Sequence, residues 1–193
     1  VMEALEEMKQ RGWVKWTGVG GTTAHEMAKV IDTGVFDVVQ TAFNYSLLWQ
    51  EARYEIFPTA KKHDIGIICS APLQQGSLAV RRDELIENGA PWISKPRREQ
   101  FKALYSFLDE IGMSIVELSL RFVLSNPDID CVLVGAKNLK EITETVAYSE
   151  KGPLSEDILK RIEEIYMMVP FRPTLEPILL PWGDTRPDIG WIV

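Results

Sequence analysis

The 193-residue sequence predicts an α/β fold made of parallel βα units, closed as a barrel or open as a doubly wound sheet. Three observations carry this. Strand-like and helix-like segments alternate along most of the chain. The strand segments, such as Phe36-Asp37-Val38-Val39-Gln40-Thr41-Ala42-Phe43 and Ile65-Gly66-Ile67-Ile68-Cys69-Ser70, are continuous apolar runs, the pattern of strands buried on both faces. Each strand finishes in polar or small residues: Gly20 and Gly21, then Gln40 and Asn44, then Ser70, then Gly135 and Lys137. In a βα barrel such ends converge on one rim, where ligands bind.

The elements follow in order. An amphipathic helix at about 2–11 stops at Gly12, and a strand at 13–19 follows. A helix at about 23–33 starts at Thr22 or Thr23, with Glu26 placed to complete a capping box, and stops at Gly34. The strand at 36–43 leads to a helix at 50–63, and the strand at 65–70 leads to an irregular segment at 71–97. That segment holds Pro72, Gly76, Gly89, Pro91 and Pro96. Helices at 98–111 and 114–125, a strand at 131–134, and helices at 138–148 and 155–168 complete the series. Residues 169–193 carry five prolines and read as extended coil.

Composition narrows the function classes. With 46% apolar and 25% charged residues, the chain can bury a real core. A net charge of −7 argues against nucleic acid, which needs a basic face. No apolar run reaches the roughly 18 residues of a membrane span, and the start reads as a helix, not a signal peptide. Cys69 and Cys131 both sit in apolar strands, so both are expected to be packed, reduced thiols of a cytoplasmic protein. Val1 falls inside a helical pattern, as in a segment of a longer chain.

The stretch Lys15-Trp16-Thr17-Gly18-Val19-Gly20-Gly21-Thr22-Thr23 is glycine-rich, but a dinucleotide fingerprint would need a glycine where Thr23 stands. No phosphate-binding P-loop motif is present either. Four other stretches are more specific together. GVGG, FDVVQTAFNYSLL, HDIGIICSAPLQQGSL and NPDIDCVLVGAKNLKEITETV resemble, in order and spacing, four successive signatures of the aldo-keto reductases. The resemblance covers about residues 1–166, and within the family it leans toward sugar-dehydrogenase-like members.

That resemblance implies a (β/α)8 TIM barrel of which residues 1–168 form about the second half, with 169–193 as a C-terminal tail. It also implies NADP, or alternatively NAD, lying across the rim. Gln40 matches the glutamine that bonds the nicotinamide carboxamide, whose donor and acceptor its own amide complements. Gly20 and Gly21 stand where the family usually has Ser and Asn, so backbone or water would replace two side-chain bonds. Ser70 stands where many members stack an aromatic ring. Pro72, Leu73, Gln75 and Gly76 are similar to the loop that wraps the pyrophosphate, with Gly76 letting backbone N–H groups approach an anion. Arg81 and Arg82 follow closely and could pair with phosphate.

Gly135-Ala136-Lys137-Asn138 resembles the start of the helix near the adenosine. Lys137 would supply a point charge for a 2′-phosphate. Glu144 matches the acid that meets the adenine amino group, and Glu141 replaces a common Gln. Lys137 favours NADP, and Glu141 pulls toward NAD.

The family's catalytic Asp, Tyr, Lys and His belong to the first half of the barrel, so the resemblance assigns no catalytic residue here. His25 and His63 fall on helices away from the rim. Tyr45, Tyr54 and Tyr105 lack the Lys and Asp context of a tyrosine acid. The implied whole is an oxidoreductase moving hydride between nicotinamide and a carbonyl, alcohol or sugar hydroxyl. The alternative is a noncatalytic nicotinamide-nucleotide sensor on the same barrel. Either needs an N-terminal half-barrel, or a second copy, to cover the edges of the sheet. The tail, with Trp182 and Trp191, is expected to cap a substrate pocket, pack across the barrel bottom or form an oligomer contact.

Overall fold

A computed structural model describes residues 1–90, 92–173 and 176. Four parallel strands, β1 (Gly18–Gly21), β2 (Val38–Ala42), β3 (Gly66–Ser70) and β4 (Cys131–Leu133), lie in the sheet in the order of the sequence. A doubly wound sheet reverses its strand order at a switch point. This sheet has no such reversal, which is the arrangement of consecutive barrel strands. Helices α1 (Met2–Gln10), α2 (Ala24–Ile31), α3 (Ile56–Lys62), α4 (Asp83–Asn88), α5 (Lys95–Ile111), α6 (Ile115–Leu124), α7 (Leu139–Glu150) and α8 (Glu156–Tyr166) complete the described residues.

The strands are not buried on both faces as their apolar runs predict. Val39, Thr41, Ile67 and Cys69 point into the helix layer and are buried, while Gly18, Gly20, Gln40, Cys131 and Leu133 are exposed on the opposite face. Helices cover one side of the sheet, so alternate residues of each strand meet the core and the rest meet the open side. Cys131 is therefore an exposed thiol, not a packed one. Cys69 is buried as expected, and burial pushes its thiol up to about 12.

Boundaries moved where side chains set the register. The first strand starts at Gly18, not residue 13, leaving Trp13 and Trp16 on the surface. Just before that strand the Asp37 carboxylate takes the Thr17 N–H at 2.6 Å and the Thr17 hydroxyl at 3.1 Å, while the Thr17 carbonyl accepts from Asp37 N at 2.8 Å. Lys9 closes on the same carboxylate at 2.6 Å, so one aspartate joins α1 to the base of β1 and β2, and that contact holds its carboxyl below the usual range. Asp130 does the same for β3, accepting from Ile67 N at 2.7 Å.

Helix starts follow caps. Ser94, Ser114 and Asn138 each accept the N–H three residues on. The Ser94 cap starts α5 at Lys95, three residues earlier than residue 98. Thr23 occupies the cap position of α2 without a side-chain bond, and Glu26 pairs with Lys29 instead of closing the box. The helix expected at 50–63 is a 3-10 turn at Glu51–Arg53 followed by α3. Within the segment read as irregular, α4 forms and packs on α5.

The core joins the buried strand face to α2, α3, α5 and α6 through Ile31, Ala60, Phe101, Leu104 and Leu118. Residues 44–50, directly after β2, are all buried, including the polar Asn44, Ser46 and Gln50. Tyr45 stacks on Phe122 at 5.2 Å and meets Phe57 edge-on at 4.9 Å. Burial pushes its hydroxyl up to about 12.

Candidate functional site

The strand ends converge as the sequence leads one to expect. Parallel register sets Gly20 beside Gln40 and Gln40 beside Ile68, with Ala42 beside Ser70 and Ser70 beside Leu133. Gln40 is exposed on the open face, and its Nε2 donates to Ser70 Oγ at 3.2 Å. Ser70 in turn donates to the Thr41 carbonyl at 3.2 Å. The serine cannot stack on a ring as an aromatic residue would. What it does is orient the glutamine, leaving the rest of that amide free to meet a planar amide ligand.

The two glycines of β1 differ. A Cβ on Gly20 would meet Gln40 at 3.5 Å, an ordinary contact on the open face. A Cβ on Gly21 would fall 2.6 Å from Met27 Sδ, on the helix side. Gly20 keeps the space in front of Gln40 clear, whereas Gly21 lets α2 pack closely on the strand.

After β3 the chain makes a tight loop. Ala71, Gln74 and Gln75 take left-handed backbone with φ of 57°, 49° and 52°, and Gly76 has φ 94°. Pro72 is buried, Leu73 half-buried, and Gln75 exposed. The Gly76 N–H donates to Leu73 O at 3.0 Å, so the amide expected to face an anion is engaged within the loop. Gln74, not singled out in the sequence, holds the loop in place. Its Nε2 donates to Phe43 O and to Ser46 Oγ, both at 3.0 Å. The doubled glutamine was the available signal, but only the fold shows which of the two turns inward.

The arginines beyond the loop are also engaged. Arg82 donates to Gly76 O at 2.9 Å and Val80 O at 3.0 Å. Arg81 pairs with Asp83 and Asp109. Neither reaches the open face as a spare cation.

The last strand end is bare by comparison. Gly135, Lys137, Glu141 and Glu144 are all exposed. Glu141 turns back to the start of α7, accepting from Lys137 N at 2.7 Å and from Asn138 Nδ2 at 3.0 Å. Glu144 lies 3.8 Å from Lys140. Among the described residues the Lys137 ammonium has no ion-pair partner.

His25 lies in the first turn of α2, nearer the rim end than expected, and pairs with Glu55 at 2.7 Å. His63 pairs with Asp32 at 2.9 Å on the helix side. Tyr45, Tyr54 and Tyr105 belong to the helix layer: the Tyr105 hydroxyl accepts from Arg82 N at 3.1 Å under the Arg81 guanidinium, Tyr54 faces Tyr166 at 3.3 Å, and Tyr45 is core. None stands on the open sheet face. Trp182 and Trp191, offered as caps of a pocket, lie outside the described residues, as does Pro91. Among the described residues no helix is long and apolar enough to cross a membrane.

Comparison with known proteins bears on the family and the fold. L-galactose dehydrogenase of Arabidopsis thaliana is 27% identical over 171 residues, covering 84% of this chain and 51% of its own length. D-threo-aldose 1-dehydrogenase of a Pseudomonas species is 22% identical over 149 residues, covering 76% of this chain and 45% of its own. Among solved structures, the aldo-keto reductase AKR11C1 of Bacillus halodurans in its holo form superposes with a TM-score of 0.67 at 21% identity, over 85% of this chain and 54% of that one. The chain thus spans about half the length of the relatives it matches. The model of the Aldo/keto reductase family matches residues 1–167, and the chain belongs to that family.

Proposed function

We propose that this chain is the cofactor-binding second half of an NAD(P)-dependent oxidoreductase barrel. Residues 1–168 form the half-barrel and the segment from 169 its tail. The observation that carries the reading is the Gln40–Ser70 pair, a fixed primary amide on the open sheet face at the strand ends. A nicotinamide carboxamide is the ligand whose donor and acceptor such an amide matches. When bound, the dinucleotide supplies the hydride chemistry, and the protein's part is to hold and orient it.

Gly20 leaves room for the ring beside Gln40, with the loop at Pro72, Leu73, Gln75 and Gly76 on one side. Gly135, Lys137, Glu141 and Glu144 await the adenosine end. Lys137 offers an unpaired cation to a 2′-phosphate. Glu141, which would repel that phosphate, is turned back to the helix cap, so NADP is favoured over NAD. Gly21 supports the strand from behind.

The proton donor comes from strands outside this chain, because none of its tyrosines or histidines stands on the open face. The names of the relatives, dehydrogenases of sugars among them, support an enzyme acting on an alcohol, sugar hydroxyl or carbonyl, and do not favour a noncatalytic sensor. Two free cysteines, one of them exposed, suit a reducing, cytoplasmic setting.

The test is a fluorescence titration of the purified protein with NADPH and with NADH. Saturable binding of NADPH, tighter than that of NADH, is expected. A folded protein that binds neither nucleotide overturns the proposal.

A further inference from the structure

Beyond α8, Phe171, Arg172 and Glu176 each contact the protein near the loops that follow the strands. The Phe171 ring packs on Tyr54 at 5.7 Å. Arg172 Nη2 donates to Phe43 O at 3.0 Å, and its Nε lies 3.4 Å from Glu51 without the alignment of a hydrogen bond. The Glu176 carboxylate then enters the protein. It accepts from Arg97 Nε at 3.1 Å through both oxygens and from the Trp49 indole N–H at 3.0 Å. The Arg97 and Glu176 side chains are 0% and 2% exposed. Arg97 also donates to the Leu48 carbonyl at 3.2 Å, and its guanidinium lies over the Trp49 ring at 4.8 Å.

One of these anchors, Arg172, shares its backbone carbonyl acceptor with the loop after β3. Phe43 O accepts from Arg172 beyond α8 and from Gln74 in the loop after β3. Phe43 itself has φ 64°, three residues beyond Gln40. Left-handed backbone at a residue with a side chain is strained, and it persists only where surroundings hold it. Four such residues, Phe43, Ala71, Gln74 and Gln75, lie in the two loops joined at this carbonyl.

We propose that Arg172 and Glu176 form a latch, closed by the buried Arg97–Glu176 pair, that holds the loops after β2 and β3 in the conformation that accepts a dinucleotide. Its consequence for binding rests on the cofactor reading above. The latch itself is defined by contacts that do not. Glu176 fixes Trp49, Arg172 fixes the Phe43 carbonyl, and Gln74 carries that position to the pyrophosphate loop. None of these side chains touches the proposed ligand, so they are positioning residues. Releasing the latch frees the loops to leave their strained backbone and lowers the fraction of protein competent to bind.

The experiment compares amide hydrogen exchange and NADPH affinity in the full chain and in Glu176→Gln. The informative amides are those of Ser46, Ala52, Gly76 and Ser77, which close the two loops. Exchange there is expected to speed about tenfold, with NADPH affinity weakened about tenfold while α2 and α6 keep their protection. Glu176→Gln leaves Arg97 buried without its counter-charge and could unfold the protein. Arg97→Met combined with Glu176→Ala removes both charges and serves as the second variant, expected to melt near the parent temperature with the same fast loop exchange. Parent-like exchange and affinity in that folded double variant overturn the latch. Failure of the parent protein to bind NADPH defeats the cofactor reading instead, and the latch is then judged on loop exchange alone.

Discussion

The centre of the sheet and its β4–α7 flank serve one proposed ligand with opposite construction. At the centre Gln40 rests on Ser70, Ser70 on Thr41, and two donors meet at Phe43 O, all backed by a wholly buried ion pair. At the flank Lys137, Glu141 and Glu144 are exposed, and α7 buries no residue. Leu139, at its start, is 80% exposed. The next helix, α8, buries Ile162 and Ile165, each contributing roughly 1.5–3 kcal/mol. Among the described residues, β2 and β3 have neighbours on both sides, while β1 and β4 have one each. Central residues therefore act through a shape held by packing. Flank residues act through charge in water, which salt screens.

The largest effect expected from this contrast is at the buried pair. Glu176→Ala takes from the fully buried Arg97 guanidinium the carboxylate it bonds. Breaking one side of a buried pair typically costs about 3–5 kcal/mol. Urea unfolding should show that loss. A change below about 1 kcal/mol would mean that the centre is no more rigid than the flank.

Next in size is the amide on the open face. Gln40→Ala removes an exposed side chain, so stability should stay within about 0.5 kcal/mol. NADPH affinity should fall about tenfold, equivalent to roughly 1.4 kcal/mol. Ser70→Ala should act in the same direction but less, because it frees the amide's orientation without removing it. Titration of both variants checks the order. Equal affinities for parent and Gln40→Ala would remove the site from the sheet centre.

The sequence made the alternation of strands and helices legible, and with it the parallel sheet and the rim positions Gln40 and Ser70. It could not show which face of each strand would be open. A continuous apolar run looks the same whether helices cover one side or both, and so Cys131 looked as buried as Cys69. The contact just before β1 comes from Asp37, twenty residues away in the chain, reaching back to Thr17. Gln74 escaped notice, and Arg97, which beside Lys95 and Arg98 reads as part of a solvated loop, is instead fully buried in α5, for a related reason. Each is a polar residue in a polar stretch, and only the fold turns it inward against a carbonyl or a carboxylate. Departures from the family pattern at Gly21 and Ser70 looked like losses when read alone. In three dimensions they are a helix contact and a support for Gln40.

On the flank the effects become smaller and local. Asn138→Ala deletes the cap that α7 relies on, its side chain accepting from Glu141 N at 3.0 Å. Such caps are worth about 1 kcal/mol. Because α7 has no buried residue to hold it, the cost should appear as faster amide exchange confined to residues 139–150, with the global melt scarcely changed. A loss of protection spreading to β2 and β3 would show that the flank is part of the central cooperative unit.

The smallest effect tests what the flank does for the ligand. Lys137 is exposed, on a flexible stem, and beside a carboxylate that serves the helix cap. An exposed charge pair is worth roughly 0.2–1 kcal/mol. Lys137→Ala should therefore weaken NADPH binding by about two- to fivefold at low salt and leave NADH binding unchanged. The difference should shrink as ionic strength rises, since nothing shields the contact from water. Gln40→Ala, by contrast, should lose the same factor at every salt concentration and for both nucleotides. If Lys137→Ala weakens NADPH and NADH alike, the lysine shapes the helix start and does not read the 2′-phosphate. The preference between the two nucleotides would then have to come from the centre of the sheet, where, among the described residues, neither Arg81 nor Arg82 is spare to face the open side.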